Sequence, residues 1–94
     1  MHAFIEANRD RITALAARRG IREVRVFGSM ARGDATDDSD VDLLVVLPAG
    51  QSGLMLGGFW LDLEALLHRR VDLVTEAGLH PLLRERVLRE AEPL

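Results

Sequence analysis

The chain has 94 residues, 48% of them hydrophobic, which is enough to form a single domain over residues 1–94 with a modest core. It has no cysteine, so disulfides, cysteine nucleophiles and thiolate zinc sites are excluded, and a reducing compartment fits. The net charge of −3 and the absence of a long apolar segment argue against a general nucleic-acid binder and a membrane protein, so we expect a soluble, cytoplasmic domain.

The hydrophobic pattern predicts helices that alternate with strands. Apolar residues at helical spacing indicate a first helix over about residues 3–19, and a strand is predicted over 22–27. Gly28 breaks this strand and precedes a short helix ending near Gly33, after which the polar segment 34–39 favours turns. The remaining predicted elements are a strand at 41–47, a mobile glycine-rich loop at 48–58, a helix at 59–68, a strand at 71–75 and a helix from 81 to Pro93. This order predicts a small α/β domain.

Acidic residues are concentrated just before the second predicted strand. Asp40 and Asp42 lie two positions apart where the strand begins, so their carboxylates should project from the same face of the sheet. Two carboxylates so close require a cation, and a pair of Mg²⁺ ions can both neutralise them and bind the attacking and leaving oxygens of a phosphoryl displacement. A solvated turn is the alternative interpretation of an isolated aspartate pair.

A Gly28-Ser29 pair precedes Asp40 by ten intervening residues. Glycine allows the backbone to approach a triphosphate, and the amides that start the next helix, together with the Ser29 hydroxyl, favour anionic oxygens. Arg32 lies one turn further on, where its guanidinium could contact the β- and γ-phosphates or form a salt bridge within the acidic loop, to Asp34 or Asp37. Gly28, Ser29 and Arg32 are therefore candidate nucleotide-binding residues.

These motifs resemble the Gly-Ser, ten-residue, Asp-x-Asp signature of the DNA polymerase β-type nucleotidyltransferase superfamily. Segments 27–33, 39–45 and 70–74 are similar to the minimal nucleotidyltransferases (MNT), which act as antitoxins beside HEPN-domain toxins, and the likeness covers nearly the whole chain. The resemblance implies a small α+β fold in which about four helices flank a three-stranded mixed sheet.

The same resemblance implies that Asp40, Asp42 and Asp72 bind the metal and are catalytic, with Asp72 able to take the proton of the acceptor hydroxyl. Asp72 lies between apolar residues of a predicted strand, where burial would be costly unless a metal paired it. The alternative for Asp72 is an aspartate on the exposed face of an edge strand.

The resemblance further implies Mg²⁺-dependent transfer of AMP from ATP to a tyrosine hydroxyl of a HEPN RNase toxin, which is thereby neutralised. The sequence contains no tyrosine, so such an acceptor must belong to a partner. Two alternatives stay open: a binding-only antitoxin that masks the toxin by contact, and nucleotidyl transfer to a small molecule such as an aminoglycoside. Leu82, Leu88 and Leu94 lie off the main apolar stripe of the last helix, and we expect them to form the partner interface.

Overall fold

The structure is a computed structural model that describes residues 1–47 and 53–94. Helices and strands alternate along these residues, as the sequence predicts, with one further strand at the end. The elements are α1 (Ala3–Arg18), β1 (Glu23–Phe27), α2 (Ser29–Arg32), β2 (Val41–Val46), α3 (Gly53–Leu67), β3 (Val71–Thr75), α4 (Pro81–Glu90) and β4 (Glu92–Pro93).

The strands form one mixed sheet in the order β3-β2-β1-β4. β1 pairs antiparallel with β2 and β4, whereas β2 and β3 are parallel. The predicted fold class and the mixed sheet are therefore confirmed, but the sheet has four strands and not three. The last helix ends at Glu90 rather than at Pro93, because Ala91 is extended and turns the chain alongside β1. Pro93 is tolerated there because an edge strand can spare one N–H group.

Helix α3 starts earlier than the sequence pattern predicts. The predicted loop over 48–58 is wrong for residues 53–58, which are helical, and its residues 48–52 lie outside the described residues. Met55 and Leu56 of this first part pack against the core. Their burial offsets the low helix propensity of Gly57 and Gly58. The prediction of a loop relied on these glycines and did not take the burial into account.

One face of the sheet carries the core. Val41, Leu43 and Val45 alternate along β2 and are fully buried, as are residues of the two long helices that cover them, Ile5, Ile12, Phe59 and Leu63. Every buried residue in the described part of the chain is apolar. The even-numbered positions of β2, which include Asp42, point to the opposite face. None of the described helices has the length and apolar character needed to cross a membrane.

Candidate active site

A sharp turn joins β1 to α2 and brings Gly28 against Asp42. Gly28 has φ 70° and ψ −152°, a backbone conformation that L side chains rarely adopt. A Cβ at this position would lie 2.2 Å from Oδ2 of Asp42. Two features therefore require glycine here: the positive φ of the turn, and the Asp42 carboxylate, which occupies the space that a Cβ would need. Met30 is fully buried and anchors the short helix that follows.

The three predicted aspartates converge at the starts of two parallel strands. Asp42 and Asp72 are paired in register on β2 and β3, and Asp42 lies opposite Phe27 of β1. Neighbouring strands are about 4.8 Å apart, so the two carboxylates project side by side from the same face of the sheet. Asp40 directly precedes Val41, the first residue of β2. The structure thus places Asp42 and Asp72 side by side, with Asp40 two residues before Asp42.

Burial and neighbouring negative charges both disfavour the ionised form of Asp42. Partial burial, followed by the negative charges of Asp72, Asp40 and Glu90, raises the pKa of this carboxyl to about 6, against a smaller opposing effect of Arg32. Asp42 is half-buried, whereas Asp40 and Asp72 are exposed. The Asp72 side chain is exposed and β3 is an edge strand, so the costly burial of this carboxylate, which a metal would have had to pair, does not occur. Its place beside Asp42, not burial, makes it a candidate.

Arg32 is held by two carboxylates. Its Nε donates to Oδ2 of Asp34 at 3.2 Å, which is one of the predicted salt bridges, and its Nη1 pairs with Glu90 at the end of α4. The hydrogen bond to Glu90 is the main cause that raises the pKa of Arg32, followed by the bond to Asp34. Glu90 also accepts a hydrogen bond from the amide of Gly28 at 3.0 Å. Sequence reasoning missed Glu90, because 62 residues separate it from Gly28 and no motif marks it.

Two hollows flank the aspartate pair. One of about 300 Å³ lies between the Gly28 turn and α4, and Asp42, Ser29, Arg32 and Arg86 are among the residues that line it. The other, of about 270 Å³, is lined by Asp72 together with Leu56, Gly57, Trp60, Val71 and Leu73. Trp60 fixes the wall of this second hollow by donating a hydrogen bond from Nε1 to the carbonyl oxygen of Val71 at 2.8 Å. Asp42 and Asp72, which are neighbours on the same face of the sheet, therefore each line one of two adjacent hollows.

The donor set suits a hard divalent cation. Carboxylate oxygens are the ligands that Mg²⁺ prefers, and the raised pKa of Asp42 shows negative charge that a cation would neutralise. In residues 1–47 and 53–94, however, no three His, Asp or Glu side chains already stand close enough together to hold a metal ion. The residue types and their placement fit the metal, while the coordinating geometry is not preformed.

The fold and these residues define a nucleotidyl-transfer domain, and comparison with known proteins supports this class. Residues 9–94 match the family model of the nucleotidyltransferase domain, so the chain belongs to that family, and the predicted enzyme class, a nucleotidyltransferase, is confirmed. The protein adenylyltransferase MntA of Thermococcus cleftensis is 47% identical over 76 residues, which cover 81% of this chain and 77% of MntA.

Solved structures share the fold. A structure described provisionally as a minimal nucleotidyltransferase is 52% identical, with a TM-score of 0.86, and the match covers 100% of this chain and 97% of that one. The structure of a toxin–antitoxin with AMP-PNP has a TM-score of 0.78 over 92% of this chain and 71% of that chain. At 22% identity, this second match shows a common fold alone.

Proposed function

We propose that this chain is an antitoxin that transfers AMP from ATP to a hydroxyl, that of a tyrosine, on a cognate HEPN-type toxin. The observation that carries the proposal is the pairing of Asp42 with Asp72 across β2 and β3, with Asp40 beside them, next to the Gly28-Ser29 turn. The similarity to a protein adenylyltransferase supports a protein as the acceptor.

Asp40, Asp42 and Asp72 are the residues that would hold Mg²⁺ in this proposal. When bound, Mg²⁺ supplies positive charge that neutralises both the carboxylates and the triphosphate. The half-buried position of Asp42 suits it to this task, because its carboxylate is already directed by the packing against Gly28. Two ions satisfy the charge of three carboxylates and a triphosphate better than one.

The nucleotide is assigned to the hollow between the Gly28 turn and α4. There the Gly28 amide, the Ser29 hydroxyl and the Arg32 guanidinium face one space with Asp42. These are donors of the kind that bind phosphate oxygens. In the transfer step the acceptor hydroxyl oxygen bonds to the α-phosphorus of ATP. The bond from that phosphorus to the bridging oxygen breaks, and pyrophosphate leaves with the electron pair.

The acceptor hydroxyl is assigned to the space beside Asp72, next to the nucleotide on the same face of the sheet, because it must reach the α-phosphorus. Asp72 lines the second hollow and is exposed, so its carboxylate can receive the proton that the acceptor hydroxyl loses. A tyrosine acceptor must come from another protein, because the sequence contains none.

Exposed leucines supply a surface for such a partner. Leu82 is 85% exposed and Leu83 is 51% exposed at the start of α4. The side chain of Leu82, which the sequence predicts at an interface, is therefore accessible to a partner. Leu88 is half-buried, and Leu94 packs partly against the core, which leaves both of them less available.

Intact mass spectrometry tests the transfer. The protein and the product of the neighbouring open reading frame are incubated with ATP and Mg²⁺, and the partner alone should gain one or more units of about 329 Da, the mass added when AMP is joined to a hydroxyl at a two-metal site. The double variant Asp40→Asn/Asp42→Asn should add none. The matched control Asp37→Asn/Asp38→Asn removes the same charge from the exposed loop before β2 and should transfer normally.

Binding-only neutralisation is the competing result. If the partner is neutralised without a change of mass, and the Asp40→Asn/Asp42→Asn variant protects cells as well as the wild type, the proposed transfer is refuted. Calorimetry adds a second test, because ATP should bind only when Mg²⁺ or Mn²⁺ is present. Equal affinity with and without EDTA would remove the metal role of the aspartates.

A further inference from the structure

The carboxylate of Glu90 is bound by two of the groups that hold the nucleotide in the proposed function. One oxygen accepts the hydrogen bond of the Gly28 amide at 3.0 Å, and the other pairs with the guanidinium of Arg32. The side chain of Glu90 is only 17% exposed, whereas that of Arg32 is 42% exposed, so the carboxylate packs into the wall of the hollow while the arginine stays open to solvent. A backbone amide and an arginine fork together make a donor set for one anionic group, carboxylate or phosphate.

The surroundings keep Glu90 charged. Burial alone would raise its pKa, but the hydrogen bonds from Arg32 and Gly28 and the charges of Arg32 and Arg86 outweigh this, so the pKa of Glu90 is lowered. Its negative charge in turn helps to raise the pKa of Asp42. An ionised carboxylate thus lies among the carboxylates of the candidate site, where a triphosphate would bring further negative charge.

A second arginine faces the same hollow. Leu83, Arg86, Val87 and Glu90 follow the spacing of one helix face and all line the space beside the Gly28 turn. Across residues 1–47 and 53–94, Arg86 forms no ion pair, and its side chain is exposed. The hollow therefore contains an arginine whose charge is not neutralised by a paired carboxylate.

We infer that Glu90 occupies a phosphate position in the nucleotide-free protein, and that a bound triphosphate displaces it and is held by Arg32 and Arg86. This inference rests on the proposed nucleotide site. The amide of Gly28 has one hydrogen and cannot donate a full hydrogen bond to a carboxylate and a phosphate together. Two anions on the same donors also repel each other, so exchange is favoured over joint binding.

Calorimetry with ATP and Mg²⁺ tests the exchange. Glu90→Gln removes the competing charge with little change of shape, and ATP should bind roughly tenfold more tightly than to the wild type. Glu85→Gln is the matched control, because it removes the same charge from an exposed position of α4 that does not line the hollow. Arg86→Gln should bind ATP roughly tenfold more weakly, whereas Arg89→Gln, an exposed arginine outside the hollow, should match the wild type.

The outcomes separate this inference from the proposed function. If the wild type binds ATP and transfers AMP but Glu90→Gln binds ATP no more tightly, Glu90 is a structural tether and the exchange is refuted, with transfer intact. A fall in melting temperature of Glu90→Gln without a gain in affinity would identify that tether. If Glu85→Gln tightens binding as much as Glu90→Gln, the effect is one of net charge and the exchange is again refuted. If no variant binds ATP in Mg²⁺, both proposals fall together.

Discussion

The two faces of β2 show how one strand serves two purposes. On one face Val41, Leu43 and Val45 are fully buried against the core. On the other face Asp42 is half-buried beside Asp72, with a pKa raised by burial and by neighbouring negative charges. The first face gains free energy of folding from apolar burial, whereas the second, although it also buries Leu44, gathers like charges at Asp42 that oppose folding. Because side chains alternate along a strand, adjacent residues should have separable effects on stability and on transfer.

Asp42→Asn should have the largest effect on activity. An amide is a much weaker Mg²⁺ ligand than a carboxylate, so we expect transfer to fall by roughly a thousandfold or more. The fold should be kept, and the metal-free protein should melt at an equal or higher temperature, since one repelled charge is removed. Turnover and melting curves in EDTA check both parts. A variant with wild-type turnover would contradict the metal role of Asp42.

Asp72→Asn should lower the chemical step more than it lowers nucleotide binding. A proton acceptor acts on the acceptor hydroxyl, and its loss commonly reduces rates by roughly 10²–10⁴-fold. Because Asp72 is exposed at an edge strand, the melting temperature should hardly change. Single-turnover rates measured beside ATP affinities separate the two effects. Parallel losses of rate and affinity would limit Asp72 to metal binding.

Leu43→Ala, at the position directly after Asp42, should lower stability and leave transfer largely unchanged. It removes a fully buried side chain and should reduce the free energy of unfolding by roughly 2–5 kcal/mol, measured by chemical denaturation. Activity per folded molecule should persist. Val46→Ala, at a position of the same strand that is 40% exposed, is the control and should cost far less. A large loss of transfer in folded Leu43→Ala would show that the two faces are not separable.

Local spacing explains which features the sequence could predict. Asp40, Asp42 and the Gly28-Ser29 turn lie within one short segment, and the alternation of β2 sets the direction of their side chains before any tertiary contact is known. The later part of the fold depends on long-range contacts. β4 has only two residues and exists because they pair with β1, and α3 begins at Gly53 because its first turns find core contacts. Such effects leave no periodic pattern in the chain.

The residues of α4 at the candidate site also could not be predicted from the sequence, because their position depends on long-range contacts. Glu90 and Arg86 come beside Gly28 only because α4 packs near the β1–α2 turn. The helical spacing of Leu83, Val87 and Glu90 could have indicated a common face, but nothing in it indicates which part of the molecule that face meets. Charged residues on a helix are usually solvated, so the sequence alone favours the interpretation that Glu90 and Arg86 are surface residues without a role in the site.

Gly28→Ala should lower both stability and transfer. The positive φ of 70° and the clash with Asp42 at 2.2 Å together should cost roughly 1–3 kcal/mol and displace the carboxylate. Gly33→Ala is a matched control, because it has φ 86° but nothing within 4 Å of an added Cβ. The control should therefore show backbone strain alone, with transfer preserved. Equal losses of transfer in the two variants would refute the specific role of the Gly28 contact with Asp42.

The smallest expected effect is a pH dependence of stability that originates at Asp42. Its pKa is about 6 in the folded protein, raised first by burial and then by Asp72, Asp40 and Glu90, and an aspartate in an unfolded chain titrates near pH 4. Between these values the folded protein binds more protons than the unfolded chain, so this contribution to stability falls as the pH rises. Because the side chain is half-exposed, screening reduces the effect to roughly 1 kcal/mol, or roughly 4–8 °C in melting temperature.

Asp42→Asn isolates this contribution. The lowered pKa of Glu90 acts in the opposite direction, since stability from that group is lost as the pH falls, but it is present in both proteins and largely cancels in their difference. In EDTA, the melting temperature of the wild type should fall relative to that of Asp42→Asn as the pH is raised from about 4 to about 7. A difference that stays constant over this range would mean that the charge of Asp42 is not opposed in the folded state. The two faces of β2 would then differ in polarity alone, and not in their contribution to stability.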